Sequence, residues 1–350
     1  MRIAIVTDTW APQVNGVVRT LETTKRQLEA IGHVVEVISP SDFGSMPCPT
    51  YPEIRLALAS RHQVGVRLRA FAPDALHIAT EGPLGVAARN WAVERGLSFT
   101  TAYHTHFPEY LARRTRLPAG LFWRFIRWFH GAAAATLVAT ESLRAELAAH
   151  GLERTRIWSR GVDLALFRPD GPFHPAFDEV AAPIMLYAGR IAIEKSLEKF
   201  LALDLPGTKV VVGDGPQRAA LEARFPLARF LGVLSGDALA AAYRTADVFV
   251  FPSSTDTFGL VMIEALACGT PVAAFPVGGP NDVVTDAVGA LSPDLARAVT
   301  GALAKPRDAC AAYARNFGWG AATRQFIAAL VPLNVGRAGR HEHDWLLRAA

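Results

Sequence analysis

Residues 248–275 read VFVFPSSTDTFGLVMIEALACGTPVAAF and place two apolar runs on either side of a helical segment. The runs Val248–Phe251 and Val272–Phe275 have the continuous apolar character of strands that are buried on both faces of a sheet. The segment between them, Leu260 to Cys268, reads as a short apolar helix that Gly269 ends. This order predicts two parallel strands joined by a crossover helix.

The same stretch carries two carboxylates at a spacing that suits a ligand site. Asp256 lies in the polar loop before the helix, and Glu264 lies eight residues further on, about one turn inside it. Because the first N–H groups of a helix bind anions, the two carboxylates and these amides suit a phosphate flanked by sugar hydroxyls. The alternative interpretation is a capping Asp followed by a solvated helix Glu.

Similar apolar runs alternate with helical segments along the rest of the chain. This alternation predicts an α/β protein built from doubly wound parallel sheets. The helical segments include Val17–Ile31 and Gly85–Glu94. The further strand-like runs are Arg2–Val6, Val34–Ile38, Ala75–Ile78, Phe99–Tyr103, Ile184–Tyr187 and Lys209–Val212.

The length and composition of the chain predict two domains. The chain has 350 residues, of which 51% are hydrophobic and 19% charged, so it can bury two cores. Residues 168–183 are rich in Pro and Asp and lack periodicity, which places a linker at residues 171–182, between residues 1–170 and 183–330. Residues 331–350 form a tail without assignment, and Trp319–Leu330 is the candidate for a final helix that returns to the first domain.

Neither a membrane-spanning run nor a signal-peptide pattern is visible, so we expect a cytoplasmic protein, free or peripheral on the inner membrane face. Cys48, Cys268 and Cys310 are far apart and have no metal-ligand spacing. We therefore expect reduced thiols and no structural metal.

Two loops in the first half of the chain carry candidate ligand-binding residues. The first strand leads into a loop with Asn15 and Gly16, and a glycine at a helix start lets backbone N–H groups approach a ligand. The loop lacks the GxGxxG pattern, which disfavours a dinucleotide-dependent dehydrogenase. The strand at Phe99 leads to His104 and His106, at the strand end where α/β proteins bind ligands. Structural histidines would fit this pattern equally well.

The segment from Arg113 to His130 interleaves five Arg with Trp and Phe side chains. Such a segment suits the headgroup region of an anionic membrane. A core helix with snorkelling Arg side chains and a surface that stacks nucleic-acid bases are the alternatives. The residues assigned to the membrane or acceptor surface are Arg113, Arg114, Arg116, Trp123, Arg124 and Arg127.

The strand at Ile184 leads into Gly189, Arg190 and Lys195, and the two cations lie five residues apart at a strand-to-helix turn. Two cations at such a turn could flank a phosphate, and a surface salt bridge is the alternative. The next strand ends in the tight turn Gly213–Pro216, which either shapes a base pocket or turns the chain.

Together these motifs resemble the retaining glycosyltransferases of family four, which have the GT-B fold of two Rossmann-like domains facing a central cleft. The resemblance covers most of residues 1–330, and its subgroup is similar to sulfoquinovosyl-diacylglycerol synthases, GDP-mannose-dependent mannosyltransferases and diacylglycerol glycosyltransferases. The matching pieces, in chain order, are APQVNGV, YHTHF, GVDLALFRP, GRIAIEKSL, VVGDGP and TDTFGLVMIEALACGTPV.

The resemblance implies roles for the candidate residues around a nucleotide-sugar. Arg190 and Lys195 would hold the diphosphate, and His104 would contact the sugar near the reacting carbon. Asp256 stands where the family's E-x7-E pattern has its first Glu, and would bind hydroxyls of the transferred sugar. Glu264 would bind the ribose. The remaining donor-binding residues would be Gly16, Gly189, Phe258, Gly259 and Leu260.

The implied reaction moves a hexose from a UDP- or GDP-sugar to a lipid acceptor such as diacylglycerol, with retention of configuration. The chain has no D-x-D pattern, so we expect neither an essential metal nor a cofactor besides the nucleotide-sugar co-substrate. Nucleic acid is not an expected partner, and the sequence leaves the oligomeric state open. The alternatives are a GT-B sugar-nucleotide epimerase, a glycosyltransferase acting on a soluble glycan, and a non-catalytic membrane-binding module.

Overall fold

The computed structural model describes residues 1–333, except for residues 14, 49–50, 105–107, 109–114, 116–117, 179, 255 and 257. Among the residues singled out from the sequence, His106, Arg113, Arg114 and Arg116 lie outside the described residues.

The chain divides into two compact units. The first unit comprises Met1–Ser159 and the segment that begins at Gly320, and the second comprises Arg160–Trp319. The sequence placed the change of domain within residues 171–182 instead. Residues 160–170 belong with the second unit because they bond to it, for example through a 3.3 Å hydrogen bond that Arg244 donates to the Arg168 carbonyl.

The first unit contains a six-stranded parallel sheet with the order β2-β1-β5-β6-β7-β8. A separate antiparallel hairpin, β3-β4, was not predicted from the sequence. The strands are β1 (Arg2–Val6), β2 (Val34–Ile38), β3 (Ser45–Cys48), β4 (Tyr51–Ala57), β5 (Ala75–Ile78), β6 (Thr100–Ala102), β7 (Ala135–Val138) and β8 (Thr155–Ile157). The described helices of this part are Gly16–Ala30, Arg61–Phe71, Pro83–Glu94, Ala119–Gly131 and Glu141–Ala149.

The second unit contains another six-stranded parallel sheet, with the order β11-β10-β9-β12-β13-β14. Its strands are β9 (Ile184–Ala188), β10 (Thr208–Val212), β11 (Arg229–Gly232), β12 (Val248–Phe251), β13 (Val272–Ala274) and β14 (Gly289–Leu291). Its helices are Leu197–Leu201, Arg218–Arg224, Gly236–Thr245, Leu260–Ala267, Gly278–Val283, Leu295–Leu303 and Arg307–Ala314. Short 3₁₀ turns occupy Pro40–Asp42, Pro175–Phe177, Ile193–Lys195 and Arg315–Phe317.

The central strands of both sheets are buried and mainly apolar because helices cover both of their faces. All residues of β5 and β12 are buried, and Ile3, Ile5 and Val250 are fully excluded from solvent. The predicted α/β class with two Rossmann-like parallel sheets is therefore confirmed.

The last helix, Trp319–Ala329, packs against the first sheet. Phe326 is fully buried, with its ring 4.8 Å from that of Trp158 and 5.0 Å from that of His77. This is the place that the sequence analysis gives to the final helix. Because the helix returns, the first unit is built from two separate parts of the chain.

Each sheet has a topological switch point, a position where the strand order reverses. In the first sheet the chain passes from β1 to β2 on one side and then to β5 on the other side of β1. In the second sheet it passes from β9 through β10 to β11, and then to β12 on the other side of β9. Ligands of open α/β sheets bind at the carboxyl ends of the strands at such points.

Candidate active site

The loops at the switch point of the second sheet bring together two of the predicted site residues. Lys195 follows β9 and Asp256 follows β12, and these strands pair as neighbours. The Lys195 Nζ donates a hydrogen bond of 2.5 Å to Asp256 Oδ1. Both side chains are about three-quarters buried, so this ion pair is shielded from solvent on most sides.

The second oxygen of the Asp256 carboxylate, Oδ2, is buried and accepts no hydrogen bond from any residue that the structure describes. A buried carboxylate oxygen without a donor is costly, and a hydroxyl group of a ligand would satisfy it. The pair therefore combines a cation that can face a phosphate with an acceptor that can face a hydroxyl.

Tyr187 fixes the turn that carries Gly189 and Arg190. The buried Tyr187 hydroxyl donates a 2.7 Å hydrogen bond to the Arg190 carbonyl. Burial raises the pKa of this hydroxyl, and the negative charges of Asp256 and Glu194 raise it further. The hydroxyl therefore stays protonated and remains a donor.

Glycines allow this turn to pack against the next strand end. Gly189 has a φ of +152°, and a side chain at Gly213, whose φ is +131°, would come within 1.9 Å of the Gly189 carbonyl oxygen. The Ile191 N–H donates a 2.9 Å bond to the Asp214 carbonyl. The turn Gly213–Pro216 therefore packs against the loop that carries Arg190 and Lys195 and holds it in place.

The residues Phe258 to Leu260 form the entry into the helix Leu260–Ala267. Gly259 is the N-cap residue with a left-handed φ of +85°, and a side chain there would meet Phe251 and Met262 within 3 Å. Phe258 is buried and packs edge-on against Phe317. A glycine is thus required where the chain turns into this helix.

Glu264 lies inside the same helix and is only 3% exposed. Its Oε2 accepts a 3.1 Å hydrogen bond from the Tyr243 hydroxyl. The structure therefore gives this carboxylate a buried partner, and the alternative of a solvated helix Glu is wrong.

In the first unit, Gly16 is the first residue of the helix Gly16–Ala30, and Asn15 caps that helix. The Asn15 Oδ1 accepts hydrogen bonds of 3.0 Å from the N–H groups of Val17 and Val18. The helix start at Gly16 was predicted from the sequence, whereas the capping role of the Asn15 side chain was not. This side chain occupies two of the first-turn amides that an anion would otherwise use.

His104 lies two residues after β6, at the carboxyl edge of the first sheet, and is partly exposed. Its ring is 5.7 Å from that of the buried Trp158, in an edge-on arrangement. The side chain is therefore placed at the predicted strand end with one side against the core.

The described part of the basic aromatic segment is the helix Ala119–Gly131. Trp123 is buried, with its ring stacked on that of His150 at 3.6 Å, so it belongs to the core rather than to a surface. Arg124 and Arg127 are exposed, as predicted for a surface. The exposed apolar side chains of this helix are Leu121 and Trp128.

A polar cluster at the switch point of the first sheet was not predicted from the sequence. Asp8 follows β1, Glu81 follows β5, and His130 lies in the last turn of the helix Ala119–Gly131. Thr7-Asp8 follows β1 directly and Thr80-Glu81 follows β5 after one residue, and this shared pattern was the available signal. The position of His130 could not be read from the sequence.

Asp8 is 5% exposed and both of its carboxylate oxygens accept hydrogen bonds. Burial raises the pKa of this carboxyl to about 6, and the Glu81 charge adds to the rise, while bonds from the Leu84 N–H, the Thr80 hydroxyl and the Gly85 N–H oppose it. Asp8 thereby ties the loop after β1 to the start of the helix Pro83–Glu94.

Across the described residues, no group of three or more His, Cys, Asp or Glu side chains is arranged to hold a metal ion. In the same part of the chain, none of the helices combines the length and the apolar character needed to cross a bilayer.

Two sequence families match the chain in succession. Residues 14–166 match Glycosyltransferase Family 4, and residues 182–318 match Glycosyl transferases group 1. Each match covers most of one of the two compact units.

Three characterised relatives agree with this assignment. A sulfoquinovosyl transferase of Arabidopsis thaliana is 32% identical, over 95% of this chain and 68% of its own length. A GDP-mannose-dependent alpha-mannosyltransferase of Mycolicibacterium smegmatis is 34% identical, over 81% of this chain and 82% of its own. An alpha-monoglucosyldiacylglycerol synthase of Streptococcus pneumoniae is 27% identical, over 87% of this chain and 78% of its own.

Among solved structures, a sucrose-phosphate synthase of Thermosynechococcus elongatus superimposes with a TM-score of 0.75 at 22% identity, over 93% of this chain and 97% of its own. At this identity the likeness shows the fold, which is that of the GT-B enzymes. The chain therefore belongs to glycosyltransferase family 4 and is a glycosyltransferase.

Proposed function

We propose that the protein transfers a hexose from a UDP- or GDP-sugar to the hydroxyl group of a lipid such as diacylglycerol, with retention of configuration. The observation that carries the proposal is the Lys195–Asp256 pair at the switch point of the second sheet, with one carboxylate oxygen left for a ligand. In a member of family 4, a cation beside a hydroxyl acceptor suits a sugar diphosphate.

Lys195 and Arg190 would bind the diphosphate of the donor. Lys195 is held in place by Asp256, and the Arg190 backbone is held by the Tyr187 hydroxyl. Preorganised cations stabilise the charge that develops on a leaving diphosphate without reorganising during the reaction. Gly189 and the entry segment Phe258–Leu260 would let the backbone approach the same group closely.

Asp256 in the loop and Glu264 in the helix would bind hydroxyl groups rather than act as a general acid and a general base. Asp256 Oδ2 would accept a hydrogen bond from the transferred sugar, and Glu264, oriented by Tyr243, would accept bonds from the ribose. Gly16 and His104 keep their predicted roles, Gly16 in the phosphate cradle and His104 near the reacting carbon.

The reaction would form the bond between the acceptor oxygen and the sugar carbon on the face from which the diphosphate departs. The carbon–phosphate oxygen bond breaks, and the departing diphosphate takes the proton of the acceptor hydroxyl. Positioning and cationic stabilisation would supply most of the rate, so no metal is required. Full activity in the presence of a chelator of divalent metals is the expected outcome.

A lipid acceptor is supported by the outer face of the helix Ala119–Gly131. Leu121 is 53% exposed and Trp128 is 44% exposed, and the exposed Arg124 and Arg127 lie between them in the sequence. Exposed apolar side chains next to Arg side chains on one helix suit the headgroup region of an anionic membrane. The relative that is named as a glucosyldiacylglycerol synthase supports the same class of acceptor. The protein would then be peripheral on the inner face of the cytoplasmic membrane.

The proposal is tested by incubating the protein with UDP- and GDP-hexoses and vesicles of phosphatidylcholine and phosphatidylserine, with and without dioleoylglycerol. A parallel incubation replaces the vesicles with a soluble glycan. The expected product is a glycolipid one hexose heavier than the acceptor, with the anomeric configuration of the donor. A nucleotide-sugar that is epimerised without acceptor would identify the epimerase instead. A product formed only from a soluble glycan would keep the transferase and refute the lipid acceptor.

A further inference from the structure

The switch point of the first sheet carries a carboxylate–imidazole pair that the proposed donor site does not use. Glu81 Oε1 lies 3.1 Å from His130 Nε2, and the His130 side chain has no exposed surface. On the other side of the ring, His130 Nδ1 lies 2.8 Å from the Thr101 hydroxyl, which is 3.1 Å from the Thr136 hydroxyl. This chain of hydrogen bonds is satisfied when His130 donates from Nε2 and accepts at Nδ1.

The hydrogen bond from His130 fixes Oε1 of the Glu81 carboxylate, and Oε2 stays available to a ligand. The Glu81 side chain is 14% exposed, and its Oε2 accepts no hydrogen bond from the described residues. Because the buried His130 imidazole holds Oε1, it also sets the orientation of Oε2. Hydrogen-bond partners orient functional carboxylates in this way in many sites.

The neighbouring carboxylate, Asp8, has no oxygen available to a ligand. Its Oδ1 accepts from the Leu84 N–H at 2.8 Å, and its Oδ2 accepts from the Gly85 N–H at 3.2 Å and the Thr80 hydroxyl at 2.9 Å. A side chain at Gly82 would meet this carboxylate within 3 Å, so the contact is closely packed. Asp8 is therefore a structural group.

The bonds of Asp8 also exclude a phosphate from this place. The N terminus of the helix Pro83–Glu94 would otherwise offer the amides of Leu84 and Gly85 to an anion. Asp8 occupies both amides, and the Glu81 carboxylate adds a second negative charge nearby. A ligand at this strand end must therefore donate hydrogen bonds and carry no negative charge close to Glu81.

From this geometry we infer that Glu81 positions the acceptor, by accepting a hydrogen bond at Oε2 from a hydroxyl group of an uncharged acceptor. His130 is a positioning residue that orients Glu81. The inference rests on the proposed glycosyl transfer and adds the chemistry of its acceptor. An uncharged hydroxyl can belong to a glycerol lipid or to a soluble sugar, whereas a hydroxyl next to a phosphate would be repelled.

The test compares wild type with Glu81→Gln, which keeps the shape of the side chain and removes its charge. Acceptor kinetics are measured with dioleoylglycerol, phosphatidylglycerol and methyl mannoside, and UDP and GDP binding is measured by calorimetry. Wild type should use an uncharged acceptor in preference to phosphatidylglycerol. Glu81→Gln should raise the KM for that acceptor about 10-fold, with little change in kcat and none in nucleotide affinity.

Two further variants separate positioning from folding. Glu94→Gln alters an exposed carboxylate at the C-terminal end of the helix Pro83–Glu94, which follows Glu81, and should leave every constant unchanged. Glu81→Asp keeps the charge and should recover part of the acceptor affinity. His130→Gln should raise the acceptor KM less than Glu81→Gln does, because the carboxylate is still present.

The outcomes distinguish this inference from the proposed function. An unchanged acceptor KM in Glu81→Gln, an equal loss of nucleotide affinity, or a preference for phosphatidylglycerol would overturn the inference and leave the transfer reaction standing. Loss of thermal stability without a change in acceptor KM would show that Glu81 only holds the helix Ala119–Gly131. Absence of transfer to all acceptors by wild type would refute the proposed function and this inference together.

Discussion

The switch points of the two sheets have the same strand topology and opposite chemistry. In the second unit a lysine and a partly satisfied aspartate meet at the ends of β9 and β12. In the first unit, Asp8 and Glu81 follow β1 and β5, and Asp8 takes up helix amides that could bind an anion. One strand order therefore carries the cations of a phosphate site in one unit, and in the other it carries carboxylates that keep an anion from the N terminus of the helix Pro83–Glu94. The difference lies in a few side chains after the strands.

The largest expected effect is on turnover and follows from removing the cation of the second switch point. Lys195→Ala should lower turnover with a nucleotide-sugar about 100-fold, because it removes a preorganised charge opposite the leaving diphosphate. Steady-state kinetics measure this effect. Lys199→Ala is the matched control, since Lys199 is exposed and lies against Phe275, and it should keep wild-type turnover. Equal turnover in both variants would contradict the assignment.

Asp8→Asn should remove a pH dependence of stability that arises at the first switch point. The Asp8 pKa is about 6 in the folded protein and 3.8 for a model carboxyl, so the native state holds the extra proton between these values. The free energy of unfolding should therefore fall as pH rises through this window, by at most about 3 kcal/mol, in wild type only.

Urea unfolding of both proteins from about pH 4 to pH 7 measures this difference directly. Asp170→Asn, which alters an exposed carboxylate, should follow the wild-type curve. A constant difference in stability between wild type and Asp8→Asn over the whole range would show that Asp8 does not titrate there.

The double variant Arg124→Glu/Arg127→Glu should weaken binding to phosphatidylserine vesicles roughly 10- to 30-fold, because each basic side chain near an anionic surface contributes about 1 kcal/mol. Vesicle co-sedimentation measures the loss, which should shrink as salt is raised. The control reverses two exposed arginines of the second unit, Arg224 and Arg297. Equal losses in both double variants would refute a specific membrane face.

The smallest effect is expected from Asp256→Glu, which moves the carboxylate outward by one methylene while keeping its charge. The pair with Lys195 can still form, so turnover should change less than about 10-fold, whereas the preference among hexoses should shift. Competition between two hexose donors measures that shift. An unchanged preference would show that Asp256 does not contact the transferred sugar.

Sequence alone predicted the fold well because its signal is local. β1, β2, β5 and β12 lie where their mainly apolar runs predicted them, since the strands of a parallel sheet covered by helices are mainly apolar. The hairpin β3-β4 was missed because its short strands contain Pro and lack an apolar run. The boundary at Arg160 could not be read, because it depends on which unit the flanking residues bond to.

The candidate site was predictable where its parts follow strands directly. Lys195 and Asp256 were found one by one, and their contact over 61 positions follows from the pairing of β9 with β12. The pairing of Glu81 with His130 depends on how a helix packs on the sheet, for which the sequence has no signal. The burial of Trp123 has the same cause, since the helix has more aromatic side chains than its buried face can hold.

The most direct test of the contrast between the two switch points is calorimetric binding of UDP and GDP to three proteins: wild type, Lys195→Ala and Glu81→Gln. The cations that bind the phosphates are assigned to the second switch point. One nucleotide should therefore bind wild type and Glu81→Gln equally well and bind Lys195→Ala much more weakly. Equal binding to Lys195→Ala, or weakened binding to Glu81→Gln, would contradict the account.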